Sequence, residues 1–296
     1  MVESGVGDMW YTDVYMLVFD REGYGLPLML LHGTNSSRSI WKPLLPQLSN
    51  EREVFSVDLP AHGQSPPSSF TPPDWAREVA ALLDYLGLER VAVVGHSAGG
   101  WTALELAKLG RTSGVLALTP AGLWRRHSPP ITDAILLVNW RLGQILGETA
   151  VTKPLHIRMG RRMSLRQISA HPADVPVEDA IAMVKTVLAS KHFPEHFRQT
   201  CRLRFLDGQQ IPADIPVHVV WGSKDRIARA RTSRHTDQLP KHAIIETWAD
   251  CGHMLTWDAP QQVVDAILAI PTSSKDVEAS RRSQFPHGDR PPAAAS

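Results

Sequence analysis

Cysteine is scarce in this sequence, with only Cys201 and Cys251 among 296 residues, far apart along the chain. Two cysteines so widely separated give neither a disulfide framework nor the ligand spacing of a zinc site. An excess of charge is also lacking, because the formal net charge at pH 7 is +1. A chain without a strong basic or acidic field has no electrostatic reason to bind nucleic acid or an anionic membrane, so neither partner is expected.

Long hydrophobic runs are missing as well. No apolar stretch is long enough to span a bilayer, and residues 1–8 lack the basic and apolar regions of a secretory signal. With few cysteines and no such segment, we expect a cytoplasmic protein. Hydrophobic residues still make up 43% of the chain, which is ordinary for a folded globular protein. The length allows one large domain with an insertion, or two small domains.

Short apolar runs alternate with helical patterns in the first half of the chain. We predict strands at residues 11–19, 27–31, 54–57, 91–94 and 115–118, with helical patterns between the later ones and a hairpin turn at residues 21–25. Such alternation predicts an α/β fold, in which helices cover both faces of a mostly parallel sheet. Ligands of these sheets bind beyond the carboxyl ends of the strands, so residues at those ends are candidate site residues.

The strand pattern disappears between residues 123 and 210. This segment predicts helices at residues 128–147, 178–191 and 194–205, after which strands return at 217–221 and 243–248. Because the α/β pattern resumes directly, we interpret 123–210 as a helical lid over the strand ends; an independent domain is the alternative. The core then comprises residues 9–122 and 211–270, and the polar tail, 271–296, is expected to be mobile.

The pentapeptide Gly95-His96-Ser97-Ala98-Gly99 stands between a predicted strand and a predicted helix, and it fits the pattern G-x-S-x-G. A serine hydroxyl becomes a nucleophile when a base takes its proton and its oxygen stands clear of the backbone. A sharp strand-to-helix turn meets the second condition, and the two outer glycines leave room for it. A helix N-cap serine is the alternative; the flanking strand and helix favour the nucleophile.

A nucleophilic serine needs a histidine base, and the histidine needs an acid that orients it. Asp225 follows the strand at 217–221 and His253 follows the next strand, so both are expected at the same sheet edge as Ser97. These three residues also occur in the chain order serine, acid, histidine. Other acids and bases in the same regions are weaker candidates: Asp58, Asp250, Asp258, His32 and His96.

Several motifs stand at these predicted strand ends: His32-Gly33-Thr34, Asp58-Leu59-Pro60-Ala61-His62-Gly63-Gln64-Ser65, Gly95-His96-Ser97-Ala98-Gly99-Gly100, Trp221-Gly222-Ser223-Lys224-Asp225 and Cys251-Gly252-His253. Together they resemble the α/β-hydrolase superfamily, in particular its lidded, esterase-like branch. The resemblance covers about residues 14–270 and implies the α/β-hydrolase fold, with a helical lid inserted after the sixth strand. It implies a Ser97–Asp225–His253 triad and an oxyanion hole formed by the N–H groups of Ala98 and Thr34, with no metal or other cofactor. Gly33 and Asn35 are the alternatives to Thr34 as the second donor.

The resemblance further implies a serine hydrolase that cleaves a carboxylic ester, or a related acyl compound, through an acyl-enzyme. Hydrolysis of a C–C bond, a lactone or a thioester uses the same triad and remains an alternative, as does a ligand receptor of this fold without turnover. Family members that act on epoxides or haloalkanes carry aspartate where this chain has Ser97, so those activities are disfavoured.

Substrate choice is expected to depend on the lid. Trp124 and Trp140, with Met159 and Met163, are candidates for an apolar substrate pocket, and ordinary core packing is the alternative. The expected partner is therefore a small apolar acyl compound. The runs Arg125-Arg126 and Arg161-Arg162 are expected to be solvated surface of the lid, and attraction of an acidic substrate is the alternative. The oligomeric state stays open.

Overall fold

A computed structural model describes residues 16–271 of the chain. Within these residues the centre is a sheet of seven strands in the order β1-β3-β2-β4-β5-β6-β7. The strands are β1 (Phe19–Glu22), β2 (Leu26–Leu31), β3 (Arg52–Val57), β4 (Val91–His96), β5 (Thr112–Leu118), β6 (Val217–Gly222) and β7 (Ile244–Trp248). All neighbouring strands are parallel except β1, which runs antiparallel to β3. The predicted mostly parallel α/β sheet is confirmed.

Helices occupy most of the chain between the strands. They are α1 (Leu45–Leu48), α2 (Pro72–Tyr85), α3 (Ala98–Lys108), α4 (Pro130–Leu146), α5 (Glu148–Thr152), α6 (Arg158–Leu165), α7 (Val177–Ala189), α8 (Phe193–Thr200), α9 (Ala230–Ser233), α10 (Leu255–Asp258) and α11 (Pro260–Leu268). Short 3₁₀ helices lie at Arg38–Trp41, Lys153–His156, Gly208–Gln210 and Thr236–Gln238. No helix in residues 16–271 combines the length and the apolar character that crossing a membrane requires.

The central strands are buried on both faces, which explains their nearly continuous apolar sequences. Alternate side chains of β4 enter two different cores, because successive residues of a strand point to opposite faces. Val91 and Val93 pack with α2 and α3 on one face, whereas Ala92 and Val94 pack with α1 and α11 on the other. The two cores hold the strands in register, so the loops at their carboxyl ends start from fixed positions.

The N-terminal edge of the sheet differs from the prediction. Strand β1 pairs with β3, and β2 lies between β3 and β4. Residues 23–25 therefore connect two strands that are not paired, and the hairpin predicted at residues 21–25 is wrong. Arg21 on β1 forms an ion pair with Glu53 on β3. Of the strand predicted at residues 11–19, only Phe19 lies in β1, and residues 11–15 lie outside the described part. Local turn residues predict a reversal of the chain, but the sheet as a whole decides which strands pair.

Residues 123–210, which we call the helical insertion, contain no strand in the structure, as predicted. The predicted helices correspond to α4, α7 and α8, and two further helices, α5 and α6, were not predicted. The insertion follows the fifth strand of the described residues, whereas a position after the sixth strand of the whole chain was predicted. The count differs because a single strand, β1, precedes β2 in residues 16–271. A small apolar cluster holds the insertion together: Leu155, Leu165, Val175 and Ala180.

Arg161 of α6 is buried, which corrects the prediction that both arginines of this run are solvated. Its guanidinium donates to the carbonyl oxygens of Leu155, at 2.9 Å, and Ala173, at 3.0 Å. Arg162, the next residue, is exposed. The buried side chain therefore links three parts of the insertion, and only the second arginine of the run is free to contact solvent.

Of the polar tail predicted to be mobile, residues 271–296, all but the first residue lies outside the described part of the chain.

Candidate active site

Ser97 stands at the sharp turn between β4 and α3. Its backbone has φ 54° and ψ −116°, a conformation that costs a non-glycine residue about 1–3 kcal/mol. Two hydrogen bonds to the end of β5 and the loop after it hold this turn: Ser97 N donates to Leu118 O at 2.9 Å, and Ala121 N donates to Ser97 O at 3.0 Å. These two hydrogen bonds therefore stabilise the strained backbone of Ser97, and the sharp turn carries the serine out of the sheet.

The two outer glycines of the turn lie against other backbone segments. A Cβ atom on Gly95 would lie 2.1 Å from the carbonyl oxygen of Gly99, and one on Gly99 would lie 2.3 Å from the carbonyl oxygens of Leu31 and His32. These distances are far below van der Waals contact. The prediction that the two outer glycines leave room for this turn is therefore confirmed.

Asp225 follows β6 and His253 follows β7, and the structure brings these two residues together. His253 Nδ1 lies 3.0 Å from Asp225 Oδ2, and both side chains are buried. The other carboxylate oxygen, Oδ1, accepts the N–H groups of Ile227 at 2.8 Å and Ala228 at 2.9 Å. An ionised carboxylate only accepts, so His253 donates from Nδ1 and its Nε2 is the acceptor nitrogen of the ring.

The electrostatics of Asp225 favour the ionised form. Burial would raise the pKa of this carboxyl, but the charge and hydrogen bond of His253 and the two N–H groups act in the opposite direction. The net result is a pKa below the usual value of an aspartate. The carboxylate can therefore orient the imidazole and stabilise its positive charge.

The backbone of His253 is tied to the region beside Ser97. His253 O accepts hydrogen bonds from His96 Nε2 at 3.0 Å and from Thr119 Oγ1 at 3.2 Å, and the His96 and His253 rings are 4.9 Å apart. Within residues 16–271, no hydrogen bond of 3.5 Å or less joins Ser97 Oγ to His253 Nε2. Ser97 and His253 do line the same cavity.

The two other candidate bases are engaged in structural contacts. His32 Nδ1 donates a hydrogen bond to Gly33 O at 2.7 Å, and His32 Nε2 accepts one from the N–H of Leu59 at 3.0 Å. Burial lowers the pKa of His32 well below its usual value and that of His96 to about 3. Both rings are therefore neutral and hold backbone segments near the site.

The three other candidate acids lie in other environments. Asp58 binds Arg38 and the N–H of Gln64, while Asp258 accepts hydrogen bonds from residues of the helical insertion and from the loop before His253. Asp250 is exposed and pairs with Lys224. Among residues 16–271, no three histidine, cysteine, aspartate or glutamate side chains are grouped closely enough to hold a metal ion.

The two predicted oxyanion-hole residues both line the cavity with Ser97 and His253. Ala98 is the first residue of α3, and N–H groups in the first turn of a helix have no acceptor within the helix. Thr34 follows Gly33, where a Cβ atom would lie 3.0 Å from Ser97 Cβ. The loop after β2 thus lies directly against the serine. Within the described residues, the N–H of Thr34 has no hydrogen-bond acceptor.

The cavity extends from Ser97 into the helical insertion and has a volume of about 550 Å³. Trp124 and Trp140 line it, and so does Met163, whereas Met159 is exposed and lies outside it. Its other apolar lining comes mainly from α4, α7 and α8: Leu136, Leu142, Leu146, Val184, Val187, Leu188, Phe193 and Phe197. The helical spacing in the sequence predicted apolar faces on these helices, but it did not indicate which residues face a cavity.

One polar residue of the cavity wall was missed altogether. His196 on α8 is buried, and its Nε2 lies 2.9 Å from Thr34 Oγ1. The two residues are 162 positions apart. No local pattern in the sequence relates them.

Comparison with known proteins agrees with this architecture. The model of the alpha/beta hydrolase family matches residues 28–266. Epoxide hydrolase EphH of Mycobacterium tuberculosis is 32% identical over 207 residues, which are 66% of this chain and 92% of that protein.

Two solved structures are similar in fold. A thermophilic esterase from Thermogutta terrifontis has 21% identity and a TM-score of 0.65, covering 85% of this chain and 91% of its own. The meta-cleavage product hydrolase CumD from Pseudomonas fluorescens IP01 has 17% identity and a TM-score of 0.65, covering 86% and 93%. With its seven described strands, the turn at Ser97 and a family match over most of its length, the chain belongs to the alpha/beta hydrolase family.

Proposed function

We propose that the protein is a serine hydrolase that cleaves carboxylic esters, or closely related acyl compounds, through an acyl-enzyme. The observation that carries the proposal is the 3.0 Å hydrogen bond between His253 and Asp225, beside the cavity that Ser97 lines. A histidine held in this way can accept the proton of a serine on one side while a carboxylate stabilises its charge on the other.

In this mechanism Ser97 Oγ attacks the carbonyl carbon of the substrate while His253 Nε2 takes its proton. The N–H groups of Ala98 and Thr34 stabilise the oxyanion, and His253 then protonates the departing alkoxide. Water attacks the acyl-enzyme in the same way and releases the acid. The hydrogen bond between Ser97 and His253 forms when substrate binds, since catalytic hydrogen bonds are often longer in the free enzyme.

The similarity to epoxide hydrolase EphH makes epoxide opening a second candidate, but the nucleophile argues against it. Attack by a serine oxygen on an epoxide carbon would form an ether, which has no carbonyl group for water to attack. A carboxylate nucleophile would form an ester, which water can cleave. The serine at position 97 therefore supports an acyl substrate.

The helical insertion, residues 123–210, acts in this proposal as a lid on the core formed by residues 9–122 and 211–270. Its helices supply most of the apolar wall, to which Trp124 and Trp140 contribute. Ligand pockets of this size are mostly apolar with a few polar groups at the reacting end. These features support a small apolar acyl compound as the substrate, with Trp124 and Trp140 in contact with it.

The test is hydrolysis of a series of p-nitrophenyl esters from acetate to dodecanoate. We expect multiple turnovers by the wild type and a loss of roughly 10⁵-fold or more in kcat for Ser97→Ala, because the nucleophile is removed. Ser68→Ala is the matched control, since Ser68 is exposed and its hydroxyl bonds to Glu78, away from the cavity. It should keep the wild-type rate.

Two results would contradict the proposal. Hydrolysis by Ser97→Ala at the wild-type rate would remove the serine from the mechanism. Release of a single product molecule per protein, without further turnover, would instead favour a ligand receptor. Styrene oxide serves as the epoxide probe, and we expect no diol from it.

A further inference from the structure

His196 of α8 connects the helical insertion to the core through two hydrogen bonds, one stacked ring and an edge-on contact with the His62 ring, at 5.3 Å between centroids. Its ring stacks on Trp75 of α2, with 4.7 Å between ring centroids and 22° between the planes. Its Nδ1 lies 2.7 Å from Phe70 O, and its Nε2 lies 2.9 Å from Thr34 Oγ1. The side chain is 1% exposed, so these contacts are made without competition from bulk water.

The direction of each hydrogen bond follows from the chemistry of the partners. A carbonyl oxygen only accepts, so the hydrogen of the His196 ring is on Nδ1 and is donated to Phe70 O. Burial lowers the pKa of His196 to about 3, so the ring is neutral near pH 7 and Nε2 carries no hydrogen. Nε2 therefore accepts, and the hydroxyl of Thr34 donates to it.

This bond is well placed to hold the loop after β2. Gly33 lies against Ser97, and Thr34 is the next residue. Asn35 has a positive φ of 56°, and its Oδ1 is buried without a hydrogen-bond partner, so that side chain provides no anchor. Among residues 16–271, the Thr34 hydroxyl is thus the side-chain group of this loop that forms a hydrogen bond with the insertion.

We propose that His196 is a positioning residue that, through the hydroxyl of Thr34, places the Thr34 N–H for the oxyanion, so that the oxyanion hole is complete only when the helical insertion is seated on the core. This inference rests on the proposed function, because it assigns Thr34 N–H to a developing oxyanion. It explains why a polar contact joins a cavity-lining helix to a loop 162 residues away. A merely packed aromatic ring at position 196 would fill the space beside Trp75 without making this bond.

Two substitutions test the two ring nitrogens of His196 separately. His196→Gln places an amide near the Nε2 position and retains an acceptor for Thr34, whereas His196→Asn places an amide near Nδ1 and retains only the donor to Phe70. We expect kcat for the best ester to fall about 10- to 100-fold in His196→Asn, with KM within about 3-fold, since small misplacements at a reacting centre cost up to that much. His196→Gln should recover most of the loss.

Thr34→Val probes the same bond from the other side, because it removes the hydroxyl and retains the N–H. We expect a loss in kcat similar to that of His196→Asn. The double variant should lose no more than either single variant, because the second change has no interaction left to remove. Thr34→Ser retains the hydroxyl as a donor, so it should lose less kcat than Thr34→Val. The affinity for a trifluoromethyl ketone, which forms a tetrahedral adduct with the serine, should fall in parallel with kcat/KM.

Urea denaturation of every variant establishes that it is folded. Three results would each overturn the inference. Folded His196→Asn could keep the wild-type kcat, or His196→Gln could lose as much kcat as His196→Asn. The third is a double variant in which the losses of His196→Asn and Thr34→Val multiply. Wild-type turnover that Ser97→Ala abolishes tests the proposed function separately. A wild type that hydrolyses none of the esters would remove the proposed function and this inference with it.

Discussion

Single atoms decide whether the turn at Ser97 can form. The positive φ of Ser97 opposes the turn, while the absence of a Cβ atom at Gly99 allows α3 to approach the end of β2. The carbonyl oxygens of Leu31 and His32 occupy the position that a side chain at residue 99 would need. A methyl group there must displace backbone in the middle of the sheet, which cannot relax as a flexible side chain can.

We therefore predict that Gly99→Ala lowers the free energy of unfolding by about 3 kcal/mol or more, as overpacking against backbone does. Gly87→Ala is the control: Gly87 has a positive φ of 69°, but a Cβ atom there meets nothing within 4 Å. It should cost only about 1–2 kcal/mol, the penalty of the left-handed conformation alone. Urea denaturation measures both values, and equal costs would contradict the steric argument.

At the scale of elements, the helical insertion depends on a few polar ties as well as its small apolar cluster. Arg161 of α6 donates to the carbonyl oxygens of Leu155 and Ala173, and neither residue lies in a strand or an α-helix. Asp258 of α10 accepts hydrogen bonds from Ser169 Oγ and Ala170 N and so ties the insertion to the core. These ties fix the position of helices that line the cavity.

We predict that Arg161→Ala lowers the free energy of unfolding by about 2 kcal/mol, because two carbonyl groups lose a charged donor. Cleavage of the insertion by trypsin should become faster in the same variant. Arg162→Ala removes the exposed neighbour and should change the stability by less than about 0.5 kcal/mol. Urea midpoints and limited proteolysis measure the two effects; equal behaviour of the two variants would show that the buried guanidinium has no structural role.

The whole molecule carries several buried, neutral histidines close to the site. Burial lowers the pKa of His62 to about 4 and the pKa values of His96 and His196 to about 3, against 6.5 for an ordinary histidine. In the unfolded chain these side chains take up protons as the pH falls below about 6.5, whereas in the folded protein they do not until about pH 4 or lower. The unfolded state thus binds more protons in this window, and stability falls as the pH falls.

The expected loss between pH 6.5 and pH 4 is up to about 1.4 kcal/mol per pH unit for each such histidine. Urea denaturation at intervals of one pH unit from 7.5 to 4.5 measures the slope. The glutamine of His62→Gln cannot take up a proton. The free energy of unfolding of this variant should therefore change less with pH, by the contribution of one histidine. A free energy of unfolding that stays constant from pH 7.5 to 4.5 would show that these rings are not held neutral in the folded protein.

Much of the fold was predictable because its signals are local. The apolar runs of β4 and β5 indicate strands buried on both faces, and the glycines around Ser97 indicate a tight turn between strand and helix. The order of Ser97, Asp225 and His253 along the chain indicated which acid and base to expect near the same edge, and the structure joins the last two by a hydrogen bond.

Other features were not predictable, since they depend on which elements meet. The pairing of β1 with β3 followed from the assembly of the sheet, and local turn residues gave the wrong partner. Arg161 looks like a surface residue in the sequence, but the fold of the insertion surrounds it with carbonyl groups. His196 is one of 13 histidines in the sequence, and nothing nearby marks it out.

The sequence by itself determined the class of fold and the candidate nucleophile, because strand burial, helix periodicity and a turn lacking side chains are set by neighbouring residues. Only the tertiary structure decided which side chains line the cavity, which histidine contacts Thr34 and whether Asp225 reaches His253. Those contacts join residues from 28 to 162 positions apart, and their distances depend on how the cores position the sheet and the insertion.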